Sequence, residues 1–223
     1  NSVSTTNDPF STDGGKCYSV FFAKQSYGVD GNNDSGVHAN FKPLQDQHAN
    51  RAMISYELAF PDNFTWVLGG KLPGISGGWG DLGCTGGREA NGHNCFSVRL
   101  MWREGGVGEI YTYLPRALNK NLCSRSDVVC NADYGISAGR NFQFRTGKWM
   151  KVDLFVQLNT LDRSDGYMKL YMNDRLVIDL SGLIYRSEDT MYADMLAFSS
   201  FFGGSTPAYA PPADTNVFIK NLR

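Results

Sequence analysis

Residues 95–116 read "CFSVRLMWREGGVGEIYTYLPR", two alternating stretches around a glycine-rich turn. On a strand, successive side chains point to opposite faces. Ser97, Arg99, Met101 and Arg103 therefore share one face, and Val98, Leu100 and Trp102 take the other. Beyond a turn at 104–108, Glu109, Tyr111 and Tyr113 share a face, with Ile110, Thr112 and Leu114 opposite. A hairpin symmetrical about that turn sets Arg103 across from Glu109, Met101 from Tyr111 and Arg99 from Tyr113, with paired Cβ atoms about 4.5–5.5 Å apart. The apolar set packs into a core, and the polar set lines the outer surface of a sheet.

The same grammar runs through the rest of the chain. Strand-like runs are expected at 52–60, 66–71, 96–103, 109–114, 149–159, 167–173, 175–180, 195–202 and 217–222, each short and bounded by Gly, Pro, Asn or Asp. "LDRSDGYM" and "MNDRL" are hairpin connections between such runs. No segment keeps a 3.6-residue period over three turns. Residues 1–50 are polar and predict an irregular opening with one or two strands. With no internal repeat and no linker, the expected architecture is all-β: a single antiparallel β-sandwich or jelly-roll domain over 1–223.

Composition bounds the function. Charged residues make up 19% of the 223, with a formal net charge of −1, so a strongly basic surface for nucleic acid or anionic lipid is not indicated. No apolar run approaches the roughly 20 residues needed to span a membrane. Aromatics reach 13%, which suits strands and sugar-binding surfaces. The chain begins at Asn1 without an initiator Met, as a mature secreted protein would, and the sequons Asn33-Asp34-Ser35 and Asn63-Phe64-Thr65 point the same way. Cys84 and Cys95 bracket one short loop and Cys123 and Cys130 another; local disulfides are expected there, leaving Cys17 free, although Cys17 could replace any of these partners. No CxxC pair occurs and there are three His, which argues against a metal centre; the Asp- and Asn-rich loops could take structural Ca²⁺.

Two features lift the outer face of the hairpin above an ordinary solvated surface. Tyr111 and Tyr113 stand beside Arg99, and "WVLGGKLPGISGG" upstream places Lys71 among glycines, where backbone can approach a ligand closely. Such a set suits β-elimination on a uronic acid. The C5 proton of a uronate is poorly acidic beside a carboxylate, and cations on that carboxylate stabilise the enolate-like charge that develops. A Tyr or Lys then removes the proton, and a Tyr hydroxyl protonates the departing oxygen. With an ordinary pKa of about 10, a Tyr serves as base only where cations lower it.

Ser97-x-Arg99, Tyr111-x-Tyr113 on the next strand and Lys71 upstream together resemble the active-site pattern of polysaccharide lyase family 14. The resemblance is tightest over 66–114 and extends more loosely to "FSSFFGG" at 198–204 and the closing strand. It implies a jelly-roll enzyme that cleaves alginate or glucuronan by elimination, probing an acidic polymer without a required cofactor. Lys71 and Arg99 would meet the carboxylate, Ser97 would hydrogen-bond nearby, and Tyr111 and Tyr113 would share the acid and base work. Some members use a His before the Ser-x-Arg strand, for which His93 is the candidate here.

Arg103 and Glu109 extend the candidate face, Arg88 and Trp79 could reach the polymer from the intervening loop, and Gln157 is a further candidate donor on the Asp153, Phe155, Gln157 face. Tyr167, Lys169 and Tyr171 could add sugar subsites, whereas His38, His48 and Tyr209 read as surface or packed-loop residues. The reading is thus a secreted, endo-acting polyuronate lyase, glucuronan before alginate, monomeric, with no nucleic-acid or membrane partner. A non-catalytic carbohydrate-binding module on the same fold is the alternative. A glycoside hydrolase would need two carboxylates about 5–9.5 Å apart, and Glu109 is the one acid on the tyrosine face, leaving Asp153 on another strand as its partner.

Overall fold

A computed structural model describes residues 2–28, 35–43, 48–78 and 84–223. Among these the strands are β1 (Val3–Asn7), β2 (Lys16–Phe22), β3 (Val37–Phe41), β4 (Arg51–Ala59), β5 (Gly69–Gly78), β6 (Cys95–Arg103), β7 (Val107–Tyr113), β8 (Val128–Cys130), β9 (Ile136–Gln143), β10 (Met150–Gln157), β11 (Gly166–Met172), β12 (Arg175–Leu183), β13 (Met195–Phe202) and β14 (Thr215–Lys220). A single turn of α-helix, α1 (Lys120–Cys123), and three short 3-10 turns complete the described elements. The strands form two antiparallel sheets of seven, ordered β1-β2-β14-β4-β10-β11-β12 and β3-β13-β5-β6-β7-β9-β8. The all-β sandwich expected from alternation is the architecture found.

The core lies between the sheets, and the alternation of β6 and β10 explains why. Val98, Leu100 and Trp102 of β6 and Val152, Leu154 and Val156 of β10 are buried in one apolar cluster. Trp102 anchors it with ring contacts to Phe22, Phe60, Phe64 and Phe202, and its indole N–H donates to the Trp66 carbonyl at 3.1 Å. Gly70 makes room for this ring, since a Cβ there would lie 2.1 Å from Trp102 Cζ2. Truncating Trp102 to Ala would cost about 3–5 kcal/mol.

Several expectations need correction. The opening holds three strands rather than one or two, because β3 is recruited to the edge of the second sheet by β13. Strands β8 and β9 were not expected; Gly139 and a register shift interrupt the alternation of "ISAGRNFQ". β5 starts at Gly69 rather than at Trp66, since Val67 adopts a turn conformation with φ 43°, and it continues through the glycines. A bulge around Pro73 shifts its alternation, so that Leu72 and Ile75 both reach the core while Lys71 and Ser76 face away from it.

The β6–β7 hairpin closes about Gly105, not one residue later. Its register pairs Ser97 with Tyr113, Arg99 with Tyr111 and Met101 with Glu109. Every pairing shifts by two residues, so the faces survive although the partners change. The hairpins at 158–165 and Asn173–Asp174 are as expected; both residues of the latter have positive φ, 50° and 64°, as a type I′ turn requires. Disulfides join Cys84 to Cys95 and Cys123 to Cys130, and Cys17 is free and buried.

Candidate active site

The core-averted face of the second sheet gathers Lys71 from β5, Ser97, Arg99, Met101 and Arg103 from β6, and Glu109, Tyr111 and Tyr113 from β7. Its surprise is depth. An outer sheet face should be solvated, yet Ser97 is 3% exposed, Arg99 1%, Tyr111 8% and Tyr113 4%.

The cover is the disulfide-closed loop, fastened to the face by polar contacts. Ser97 Oγ donates to the Cys84 carbonyl at 2.6 Å, Arg99 Nη2 donates to Thr85 Oγ1 at 2.9 Å, and the Gly87 amide donates to Tyr113 Oη at 3.1 Å. A second loop supplies the Gly135 amide to Tyr111 Oη at 3.0 Å. Cys84, Ala90, Cys95, Met101, Tyr111 and Tyr113 form a small apolar cluster separate from the main core. Both tyrosine hydroxyls therefore accept a backbone N–H, which fixes the oxygens, and the two hydroxyls also interact with each other.

Arg99 is the electrostatic centre of this face. Among the described residues its Nε and Nη1 are buried without a hydrogen-bond partner. Unpaired guanidinium donors at that depth carry a full desolvation penalty, and they border a narrow recess, too tight to hold a water molecule, lined by His38, Asn40, Ser76, Cys84, Thr85, Ser97, Arg99 and Ala197. Burial pulls the Arg99 pKa down, and the neighbouring tyrosines oppose that shift.

Lys71 keeps partial exposure, but its ammonium is set deep, with Nζ 3.8 Å from the centroid of the Tyr111 ring and donating to Met101 Sδ at 2.7 Å. Desolvation, then the charges of Arg99 and Arg103, hold its pKa well below the ordinary lysine value, with Glu109 acting the other way. Tyr111 shifts upward, chiefly by burial and then by Tyr113. Arg99 draws it down, but more weakly than burial and Tyr113 raise it, so Tyr111 lacks the lowered pKa that a tyrosinate base requires.

Glu109 is 0% exposed and wholly engaged. Arg103 Nε donates to its Oε1 at 2.8 Å, Ser137 Oγ to the same oxygen at 2.9 Å, and Arg140 Nε to Oε2 at 2.7 Å. The ion pair of Arg103 with Glu109 is thus a diagonal contact, not the directly opposed pair that a symmetrical turn predicts.

The other candidates lie elsewhere. His93 is exposed, with Nδ1 2.9 Å from Glu188 Oε1. Arg88 is exposed in the same loop. Trp79 and Asn33 fall outside the described residues, while Asn63 is exposed on a turn. Gln157, Tyr167, Lys169 and Tyr171 belong to β10 and β11 and face outward from the first sheet, so they sit on the opposite side of the sandwich. Alternation identifies their face correctly but not which sheet carries it. Asp153 shares that remote face, so it cannot form a carboxylate pair with Glu109.

His38 is a correction of a different kind. It lies on β3, partly buried, with Nδ1 2.6 Å from Ser199 Oγ, and lines the recess beside Arg99. Its polar sequence context reads as surface because its neighbour β13 is distant along the chain. His48 is exposed, stacked on Tyr192, and Tyr209 packs over Gly204, both as expected. Thr85, Ser137 and Arg140 also join the face without a signal in the local sequence.

Solved structures share this arrangement of strands. The marine PL-14 alginate lyase from Aplysia kurodai superposes with a TM-score of 0.86 at 30% identity, over 99% of this chain and 85% of that one. An alginate lyase from Chlorella virus gives 0.77 at 20% identity, over 100% and 88% of the two chains. The endo-β-1,4-glucuronan lyase from Trichoderma reesei gives 0.61 at 10% identity, over 100% and 86%, a likeness of fold alone. No curated protein matches the chain. The family model for polysaccharide lyase 14 matches residues 11–222, nearly the whole length that carries the two sheets and the lysine–arginine–tyrosine face. The chain is a polysaccharide lyase, a member of polysaccharide lyase family 14.

Proposed function

We propose that the enzyme cleaves alginate by β-elimination, acting within the polymer and outside the cell. The observation that carries the reading is Arg99, a buried guanidinium with two donors unpartnered among the described residues, set beside two anchored tyrosine hydroxyls and a lysine of lowered pKa. A uronate carboxylate is the natural partner for such a guanidinium, able to take charge-assisted bonds from its unsatisfied donors. Ser97 stands beside Arg99 to support the same sugar.

With the carboxylate neutralised in this way, the C5 proton becomes acidic enough to leave. Lys71, neutral more readily than an ordinary lysine, accepts that proton at Nζ. The C5–H electron pair forms the C4–C5 double bond, and the C4–O bond to the preceding sugar breaks. Tyr111, held in its protonated form by burial, delivers its hydroxyl proton to the departing oxygen. Tyr113 fixes the pair by its edge-on contact with Tyr111, with ring centroids 5.7 Å apart. All charge stabilisation in this scheme comes from side chains. Because the described residues leave no room for a sugar beside Arg99, substrate entry displaces part of the cover formed by Thr85 and its loop.

Alginate takes precedence over glucuronan here, reversing the order drawn from the sequence. The 30%-identical relative is an alginate lyase, while the glucuronan lyase shares 10% identity. Two disulfides and the exposed Asn63 sequon favour an oxidising, extracellular setting. The test is an ultraviolet absorbance time course on polymannuronate, polyguluronate, glucuronan and a neutral glucan, with viscosity followed in parallel. Growth of the unsaturated-uronate chromophore on alginate blocks, with viscosity falling early, is the expected result. Growth on glucuronan alone would overturn the substrate assignment, and growth on none of them would overturn the mechanism.

A further inference from the structure

We propose that Arg140 and Arg103, both held on the Glu109 carboxylate, form a second carboxylate-binding subsite that takes the uronate next to the one that reacts. The inference rests on the polyuronate reading above. It begins with charge: two guanidinium groups share one buried carboxylate, so the cluster keeps a net positive charge. The side chain of Arg140 is 49% exposed and that of Arg103 22%, so this charge faces outward. Among the described residues Arg140 bonds only through Nε, which leaves both terminal nitrogens of its fork open to a bidentate acceptor.

The position of Arg140 is built, not incidental. On β9, Ala138 belongs to the core and Phe142 packs against it, so simple alternation would send Arg140 to the same side. Instead Ile110 pairs with Ala138 and Gly108 with Phe142, leaving extra residues on β9 between the two pairs. Within this bulge Gly139 has φ 102° and Arg140 φ 38°, an unusual conformation for a residue other than glycine. A Cβ at Gly139 would lie 2.3 Å from Ile178 Cδ1, so the bulge depends on that glycine. Its effect is to re-aim Arg140 onto the tyrosine face, as bulges beside active sites do.

The cluster also lies at the right remove. Met101 pairs with Lys71 on one side and Glu109 on the other, and Arg103 is two residues further along β6. Arg103 is four residues beyond Arg99, about 13 Å of strand, so the two arginines serve separate carboxylates. A polyuronate held at Arg99 and Lys71 thus brings a neighbouring carboxylate within reach of Arg140.

The test compares wild type with Arg140→Ala and Arg140→Lys on alginate oligomers of increasing length. Arg140→Ala should raise KM about tenfold, with kcat within about twofold, once the oligomer is long enough to fill both subsites. Oligomers too short to do so should show no change. Arg140→Lys, which keeps the charge but loses the fork, should fall between the two. Should Arg140→Ala fold poorly, Arg140→Lys and calorimetric binding of long oligomers carry the same comparison. An equal effect at every length, or a loss in kcat at constant KM, would mark a purely structural ion network and overturn the proposal. Wild-type cleavage of alginate with both variants indistinguishable from it would overturn this proposal alone. Failure of wild type to cleave any polyuronate would remove the reading on which it rests, and the subsite with it.

Discussion

The two outer faces of the sandwich carry nearly the same alphabet and do different things. On β10 and β11, Asp153, Phe155, Gln157, Tyr167, Lys169 and Tyr171 alternate outward just as Ser97, Arg99, Tyr111 and Tyr113 do on β6 and β7. The first set stays partly exposed and settles its charges locally, through Lys151 with Asp153 at 3.1 Å and Lys169 with Asp179 at 3.4 Å. The second set is roofed by a disulfide loop and left with an arginine of which Nε and Nη1 have no partner among the described residues. Surface pairs of the first kind contribute roughly 0–1 kcal/mol. A buried, under-paired cation is held in place only by the surrounding fold, which is how binding energy for an anion is stored. The difference between the faces lies in their cover, not in their residues.

The largest expected contrast is catalytic. Lys71→Ala and Tyr111→Phe should each lower kcat on alginate by about 10²–10⁴-fold, measured by product absorbance, while the equivalent changes Lys169→Ala and Tyr167→Phe leave it within about twofold. Turnover by Lys71→Ala at near wild-type rate would remove the lysine base and reopen the tyrosine alternative. The dependence on pH sharpens the same point. If Lys71 is the base, kcat/KM rises with pH along the acid limb as the ammonium loses its proton, at a pH below that of an ordinary lysine. That limb should vanish in the Lys71 variants.

The roof comes next. Removing Cys84–Cys95 or Cys123–Cys130 by paired Ser substitutions should destabilise by about 2–3 kcal/mol in each case, because the two closed loops are of similar length. Activity should separate them: loss of the first frees Cys84, Thr85 and Gly87 from the face and lowers kcat about tenfold or more, while loss of the second leaves it near wild type at a temperature where both fold. Equal activities would mean that the cover is ornamental to catalysis.

A smaller effect tests the electrostatics without turnover. The folded state disfavours the Lys71 ammonium, so the unfolded chain binds more protons at this site between the lowered folded pKa and about 10.4. Stability withheld by Lys71 is fully withheld below that window, is regained as pH rises through it, and is complete above it. Lys71→Met should therefore raise Tm by a few degrees near neutral pH, with the gain fading toward pH ~10.4, as scanning calorimetry across pH would record. The smallest effect belongs to the other face: Lys169→Ala should shift stability by less than about 1 kcal/mol, and a larger shift would show that this face too is organised for more than solubility.

Alternation placed Arg99, Tyr111 and Tyr113 on one outer face and sorted core from surface along β6, β7, β10 and β11, because a two-residue period is a local property of extended backbone; Lys71 was singled out by its glycine-rich surroundings and by the family resemblance. Short loop length made both disulfides readable for the same reason. What local sequence could not carry was anything set by pairing at a distance. β3 joins β13 from more than 150 residues away, which brings His38 to Ser199 and into the Arg99 recess. Gln157 and Tyr167 had the right chemistry on the wrong sheet, since alternation assigns a face but never a neighbour. Arg140 was invisible because the bulge that turns it breaks the period on which sequence reading depends. The burial of the tyrosine face was likewise out of reach: a side chain's direction follows from its own backbone, but its cover is supplied by loops that fold back over it, and only the assembled chain settles that.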